Sequence, residues 1–388
     1  MKMSGTKITI FILNLIILSI LFSCGPTEQD ESYDRVAFYF AGVEDNASEN
    51  EYGLFRYYMG EDFEERVAVY PLKNTTCLSD NGKILFEYGE GVDTKLWKKC
   101  LFGPLMEIPL PPADESGSYS YSDKACLSMS SDSYHLSYFA AYEHDNNGNK
   151  EYRLVCFHWC ERDFCVPDLT TFLNEKFPEY SIDGFIPAGE NLAMSFDGSS
   201  VYLTVIATSY GNPATNVCLK YSNGDFKVLN ESVSEIMEIA GYDQVNDNVI
   251  IISNGEIYKI SEISGVDNLE IGTGLIENPA QFTRKKAQLV VFEDGTIRLY
   301  SADNGSLIKD VVSYDEINVM YPNYKNKADG KLSVSPSGDW IIFALERKDR
   351  SNRYGLFTIR TDGSKLRLLK EDIALDMPLI SDYIEVQR

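Results

Sequence analysis

Apolar positions along this chain come in short runs that alternate or are nearly solid, and most runs stop at Gly, Asn, Asp or Pro. WIIFALER (340–347), YGLFTIRTDG (354–363) and KLRLLKED (365–372) show the pattern most clearly. Their β-branched and aromatic residues suit a pleated surface, and the punctuation between them suits tight turns, so the stretch predicts three strands in succession. The same order recurs as LVVFEDG, TIRLYSADNG and SLIKDVV between 289 and 312. No window carries the three-and-four spacing of a long amphipathic helix. The pattern predicts an all-β chain.

One phrase repeats along it: a short strand, a turn with Gly or a small polar residue, then a longer apolar strand. It reads LSVSPSGDWIIFA at 332–344, LAMSFDGSSVYLTV at 192–205, CLSDNGKILFEYG at 77–89 and CLSMSSDSYHLSYFAAY at 126–142. The serine before each turn is Ser79, Ser130, Ser195 and Ser335. The long gap before Ser335 has room for two worn copies, one near Tyr242 (YDQVNDNVIIIS) and one near Arg284 (FTRKKAQLVVFEDG). A period of about 40 to 50 residues with four strands each is the signature of propeller blades, because one small sheet cannot bury both faces whereas a ring of them can.

Ser335-Pro336-Ser337-Gly338 followed by Thr361-Asp362-Gly363 resembles the TolB-type, WD-like propeller repeat. The resemblance spans most of residues 34–388 through degenerate copies; Ser337 stands where that family has Asp, and the copies between Gly241 and Val312 lack the serine phrase. It implies a seven-bladed β-propeller of four-stranded antiparallel blades, with six or eight blades as the alternatives. RVAFYFAG, YGLFRYYMG and ERVAVYPL supply three N-terminal strands without a first one, and MPLISDYIEV at 377–386 is expected to complete that blade, since an open ring leaves strand edges unpaired. Insertions at 112–124 and 167–190 are expected to be rim loops or a short helix. TolB-like proteins serve as interaction modules of the cell envelope, which the resemblance extends here as an expectation without carrying over any binding residue.

The N-terminus changes the picture of location. Lys2 and Lys7 precede an apolar run from Ile8 to Phe22, too short at about 15 residues to span a bilayer and ending at small Ser23. Residues 1–23 read as a signal peptide. Leu21-Phe22-Ser23-Cys24 resembles the bacterial lipobox, which implies cleavage before Cys24, a diacylglycerol on its sulfur and attachment to the membrane through that lipid. Residues 24–33 then form a solvated tether and 34–388 a single propeller domain. Glu28, Asp30 and Glu31 resemble the export signals of some Gram-negative surface lipoproteins, so the expected address is the outer membrane, facing the periplasm or the cell surface.

Fifty-nine acidic residues against 35 basic ones give a net charge of −24, and removing residues 1–23 takes two lysines and no acid. Such a surface repels nucleic acid. A monomer is expected.

Candidate chemistry is sparse. HWCERDFC at 158–165 crowds His158, Cys160 and Cys165. Free or buried thiols, a Cys160–Cys165 disulfide across a hairpin, and a metal site remain open for it, although a lone C-x4-C with one His lacks the second ligand pair that zinc needs. His135 falls on an apolar strand and His144 in a turn. No nucleophile motif, HExxH or phosphate loop accompanies them, and no cofactor is implied. HDNNGNKEY at 144–152 alternates oxygen ligands as a calcium loop does, but its Gly148 is misplaced for one, and Asn147-Gly148 between apolar runs signals a hairpin. Tyrosines cluster at 57–58, at Tyr119 with Tyr121, and at Tyr321 with Tyr324; the last pair flanks a Pro-Asn loop and is the candidate partner-binding loop. The functional expectation is a lipid-anchored module that binds a protein, peptide or glycan. The alternative is a glycan-active or peptidase-related enzyme with its site in the central funnel.

Overall fold

A computed structural model describes residues 36–383, less short internal stretches of which the longest are 44–52 and 272–280. Strands β1 (Val36–Val43), β2 (Gly53–Tyr58) and β3 (Glu64–Val69) come first. They are followed by a plain up-and-down sheet of β4 (Leu72–Leu78), β5 (Ile84–Tyr88), β6 (Lys95–Lys99) and β7 (Leu105–Glu107). The third sheet holds β8 (Gly117–Tyr121), β9 (Ser128–Met129), β10 (His135–His144), β11 (Lys150–His158) and β12 (Asp163–Cys165). Here β10 takes both β8 and β9 along one edge. Helix α1 (Leu169–Lys176) leads to a sheet of the same plan, β13 (Ile182–Pro187), β14 (Ala193–Met194), β15 (Ser200–Ser209), β16 (Thr215–Ser222) and β17 (Asp225–Ser232). Two four-stranded sheets follow. One is β18 (Glu238–Asp243), β19 (Asn248–Ser253), β20 (Glu256–Ser261) and β21 (Gly265–Leu269). The other is β22 (Gln281–Thr283), β23 (Gln288–Glu293), β24 (Thr296–Ser301) and β25 (Leu307–Ser313). Helix α2 (Tyr314–Met320) then precedes β26 (Leu332–Val334), β27 (Trp340–Glu346), β28 (Tyr354–Arg360) and β29 (Arg367–Tyr383).

The strand ladders are antiparallel, and each strand in a sheet lies beside the next in sequence or nearly so. β29 departs from this rule. Its first part pairs with β28 up to Ile373, and its second part pairs with β1, from Ala374 opposite Val43 to Tyr383 opposite Val36. KLRLLKED and MPLISDYIEV, which the sequence offers as separate strands, are thus one strand; the change of partner comes just after Asp372, whose φ is +59°.

The near-solid apolar strands are explained by burial on both faces. Ile341 and Phe343 enter a cluster with Val290 and Leu299 of one neighbouring sheet, while Ile342 and Ala344 enter a cluster with Phe40 and Phe55 on the other side. Phe139 and Leu154 likewise meet Leu203, Val217 and α1 residue Leu173. The core is a series of such inter-sheet layers. The short first strands touch in succession, β9 with β14, β14 with β18, β18 with β22, β22 with β26 and β26 with β29, and β4 touches both β29 and β9.

The repeated serines at 130, 195 and 335 share one job. Ser195 Oγ accepts the N–H of Ser200 at 2.9 Å and donates to Asp197 at 2.8 Å, and the Gly198 N–H closes the turn onto the Ser195 carbonyl. Ser130 repeats this with His135 N–H and Asp132, and Ser335 with Trp340 N–H and, in place of an Asp, Ser337. The worn copies keep the position and change the residue. Thr283 accepts the Gln288 N–H, and Asp243, opposite Asn248 in the ladder, accepts the N–H groups of Val245 and Asn246.

Two local expectations differ. Gly117–Tyr121 is a strand rather than a loop, because its Ser-Tyr alternation matches the pleat of β10. α2 stands where the strand pattern predicts no helix, and Ser313 and Glu316 form a complete capping box at its start.

Candidate functional site

The β10–β11 hairpin and α1 together frame a cleft. Its register places Tyr142 opposite both Tyr119 of β8 and Glu151 of β11, with His144 and Arg153 two residues away along their strands. Residues two apart on a strand share a face, so these five side chains converge. The Arg153 guanidinium lies 3.7 Å from the Tyr142 ring centroid. Its Nε and Nη2 donate to Glu151 Oε1 at 2.7 and 2.6 Å, and its Nη1 donates to Tyr119 Oη at 3.2 Å. His144 packs edge-on to Tyr142 and holds Nε2 3.6 Å from the same Glu151 oxygen.

Tyr142 is fixed from below. Its hydroxyl donates to Asp114 at 2.5 Å and lies 2.9 Å from Ser116 Oγ, while Asp114 also receives the N–H groups of Ser116 and Gly117. The Tyr142 bond, then those of Ser116, hold the Asp114 carboxyl well below the usual carboxylate range. Gly117 is obligatory there, since a Cβ would lie 2.3 Å from the Glu143 carbonyl oxygen and 2.8 Å from the Tyr142 ring.

Across the cleft, Asp168 caps α1 by accepting the N–H and hydroxyl of Thr171 at 2.9 and 2.7 Å. The space between has a volume of about 280 Å³ and is lined by His144, Glu151 and Arg153 on one wall and Asp168 to Thr171 on the other, with Phe185 beneath. It suits one sugar ring or one or two amino-acid side chains. The guanidinium is ordered in advance on an aromatic face and a carboxylate, which spares a ligand the cost of ordering it.

The residues singled out from the sequence are dispersed. Cys24 lies outside the described residues. HDNNGNKEY is a hairpin, with Glu143 opposite Lys150 and Gly148 at a φ of +65°, and Glu151 is engaged by Arg153. Cys160 and Cys165 are exposed free thiols, Cys160 in the turn after β11 and Cys165 at the end of β12. Tyr324 is 4% exposed: its ring meets Phe357 edge-on and packs against Gly355, so it is core, and half-buried Tyr321 packs against the same Phe357. His135 and His158 are partners across β10 and β11 with ring centroids 4.6 Å apart. The hydroxyl beside His135, that of Ser130, is spent on the turn. Of the three histidines only His144 joins the cleft. Arg153 was missed; the hairpin signal at Asn147-Gly148, extended by register, would have set it diagonally across from Tyr142.

No family model matches the sequence, and no curated protein matches it. Among solved structures, the β-propeller domain of the Trilobed protease from Pyrococcus furiosus, described as having an open velcro topology, is 12% identical with a TM-score of 0.54, over 87% of this chain and 95% of that one. A prolyl endopeptidase is 11% identical with a TM-score of 0.53, over 89% and 50%. The acylaminoacyl peptidase of Pyrococcus horikoshii is 12% identical with a TM-score of 0.50, over 87% and 51%. The chain spans about half the length of these two peptidases. The likenesses show a β-propeller fold.

Proposed function

We propose that this chain is a seven-bladed propeller, closed by its C-terminal strand and tethered to a bacterial envelope through Cys24, that works as a binding module for a peptide or glycan taken into the cleft beside Arg153. A count of seven is supported by taking the β29–β1–β2–β3 set as one blade, the β26–β27–β28–β29 set as another and each of the five remaining sheets as one more. Closure is supported by the β29–β1 ladder and by the succession of first-strand contacts, which returns from β29 to β4. The observation that carries the binding reading is the Arg153 side chain, held on Tyr142 by Glu151 and Tyr119 at the mouth of an open cleft.

Titration calorimetry with short peptides and oligosaccharides tests it, comparing the wild type with Arg153→Met. Losing a charged hydrogen-bonding group at a binding site costs about 1.5–3 kcal/mol, or roughly 10- to 100-fold in affinity. Unchanged affinity for a ligand that does bind removes the cleft from the account. Palmitate labelling that is equal in wild type and Cys24→Ala removes the anchor. The peptidase neighbours favour a second reading, a propeller that serves peptide hydrolysis carried out elsewhere; its sign is a peptide ligand and no glycan ligand.

A further inference from the structure

Five cysteines among the described residues carry free thiols, and two of them face each other. β12 runs antiparallel to β11 with His158 opposite Asp163, Phe157 opposite Phe164 and Cys156 opposite Cys165. Opposed residues of an antiparallel pair have Cα atoms about 4.5–5.5 Å apart and side chains on one face, within the range of about 4.4–6.8 Å that disulfides bridge. A residue of the next sheet marks that face: Tyr221 Oη lies 2.9 Å from Cys165 Sγ, and both Cys156 and Cys165 act electrostatically on Tyr221. Cys160 sits outside the ladder, in the turn beyond the last pair.

We propose that Cys156 and Cys165, not Cys160 and Cys165, form a disulfide when the chain meets an oxidising small-molecule disulfide, making this pair a redox modification site. Exposed Cys165 reacts first: its sulfur attacks RSSR, and the departing thiolate takes up the Cys165 proton. The Cys156 sulfur then attacks the mixed disulfide at Cys165, and the second thiolate leaves with the Cys156 proton. Two protein thiols become one disulfide while RSSR becomes two RSH. Burial pushes the Cys156 thiol up to about 12, which makes it the poorer first nucleophile; its attack on the mixed disulfide rests instead on its place directly opposite Cys165 in the ladder. The bond would act on the cleft, because Val166 and Pro167, directly after Cys165, line it, and β11 supplies Glu151 and Arg153. The pairing itself is independent of what the cleft binds.

The full chain is incubated with oxidised glutathione, alkylated and mapped by peptide mass spectrometry. The expected product has lost two hydrogens, yields a linked Cys156–Cys165 peptide and carries alkylated Cys160. Cys160→Ser, a change in an exposed turn, should give the same linked peptide, and Cys156→Ser should stop at a glutathione adduct on Cys165. A Cys160–Cys165 link, a persistent glutathione adduct on wild-type Cys165, or no reaction at either sulfur overturns the proposal.

Discussion

Gly198 offers a measurement of how tightly adjacent sheets are packed. It lies in the turn of the serine phrase before β15, with a φ of +75°, and its Cα faces the His135 ring of the preceding sheet: an added Cβ would lie 2.3 Å from the ring Cγ and 2.4 Å from the His135 Cβ. Gly198→Ala therefore carries two costs. Holding a left-handed conformation without glycine costs about 1–2 kcal/mol. Forcing the ring and its strand aside in a packed seam costs about 1–3 kcal/mol more. Gly224, in the turn between β16 and β17, separates the two, since its φ is +86° and nothing lies within 4 Å of the corresponding Cβ. Urea unfolding with an unchanged m-value should thus give a loss of about 2–5 kcal/mol for Gly198→Ala and about 1–2 kcal/mol for Gly224→Ala. Equal losses, or a smaller loss at Gly198, refute the close approach of the third and fourth sheets.

Ser335→Ala removes a buried acceptor from the N–H groups of Asp339 and Trp340 and should cost about 1–3 kcal/mol in the same assay; a change below about 0.5 kcal/mol contradicts the role given to the repeated serine. His135 supplies a pH dependence. Burial, then the neighbouring His158, lowers its folded pKa, against partial opposition from Asp132, Asp197 and Glu161. The unfolded chain consequently binds a proton that the folded chain declines, so stability falls as pH drops through the unfolded value of about 6.5 and levels off below the folded one. The melting midpoint should decline from pH 7.5 to 5.5 in the wild type and decline less in His135→Gln; parallel curves contradict the assignment.

Much of the fold was legible because several sheets repeat one local device. Ser130, Ser195 and Ser335 mark it in letters. Thr283 does the same work with another oxygen acceptor, and Asp243 holds the same position but accepts the N–H groups of the turn itself, so those copies keep the place of the device and lose its letters. The alternating tyrosines of β8 were visible but read as loop, since a five-residue strand depends on β10 for its register. The candidate site was less legible. Tyr119, His144 and Glu151 were each noticed for separate reasons, and only the ladder brings them onto one face with Arg153. Tyr324 misled in the opposite sense: a Pro-Asn loop places a residue near the surface, yet its ring turns inward onto Phe357.

The central claim is that the first and last described strands share one sheet. Ala41 and Met377 are ladder partners between β1 and β29. With cysteines at both positions in a background lacking the other thiols, mild oxidation should yield a peptide linked between residues 41 and 377 from the folded protein and far less of it in urea. Two thiols that stay unlinked and equally alkylated in the folded protein would contradict the account.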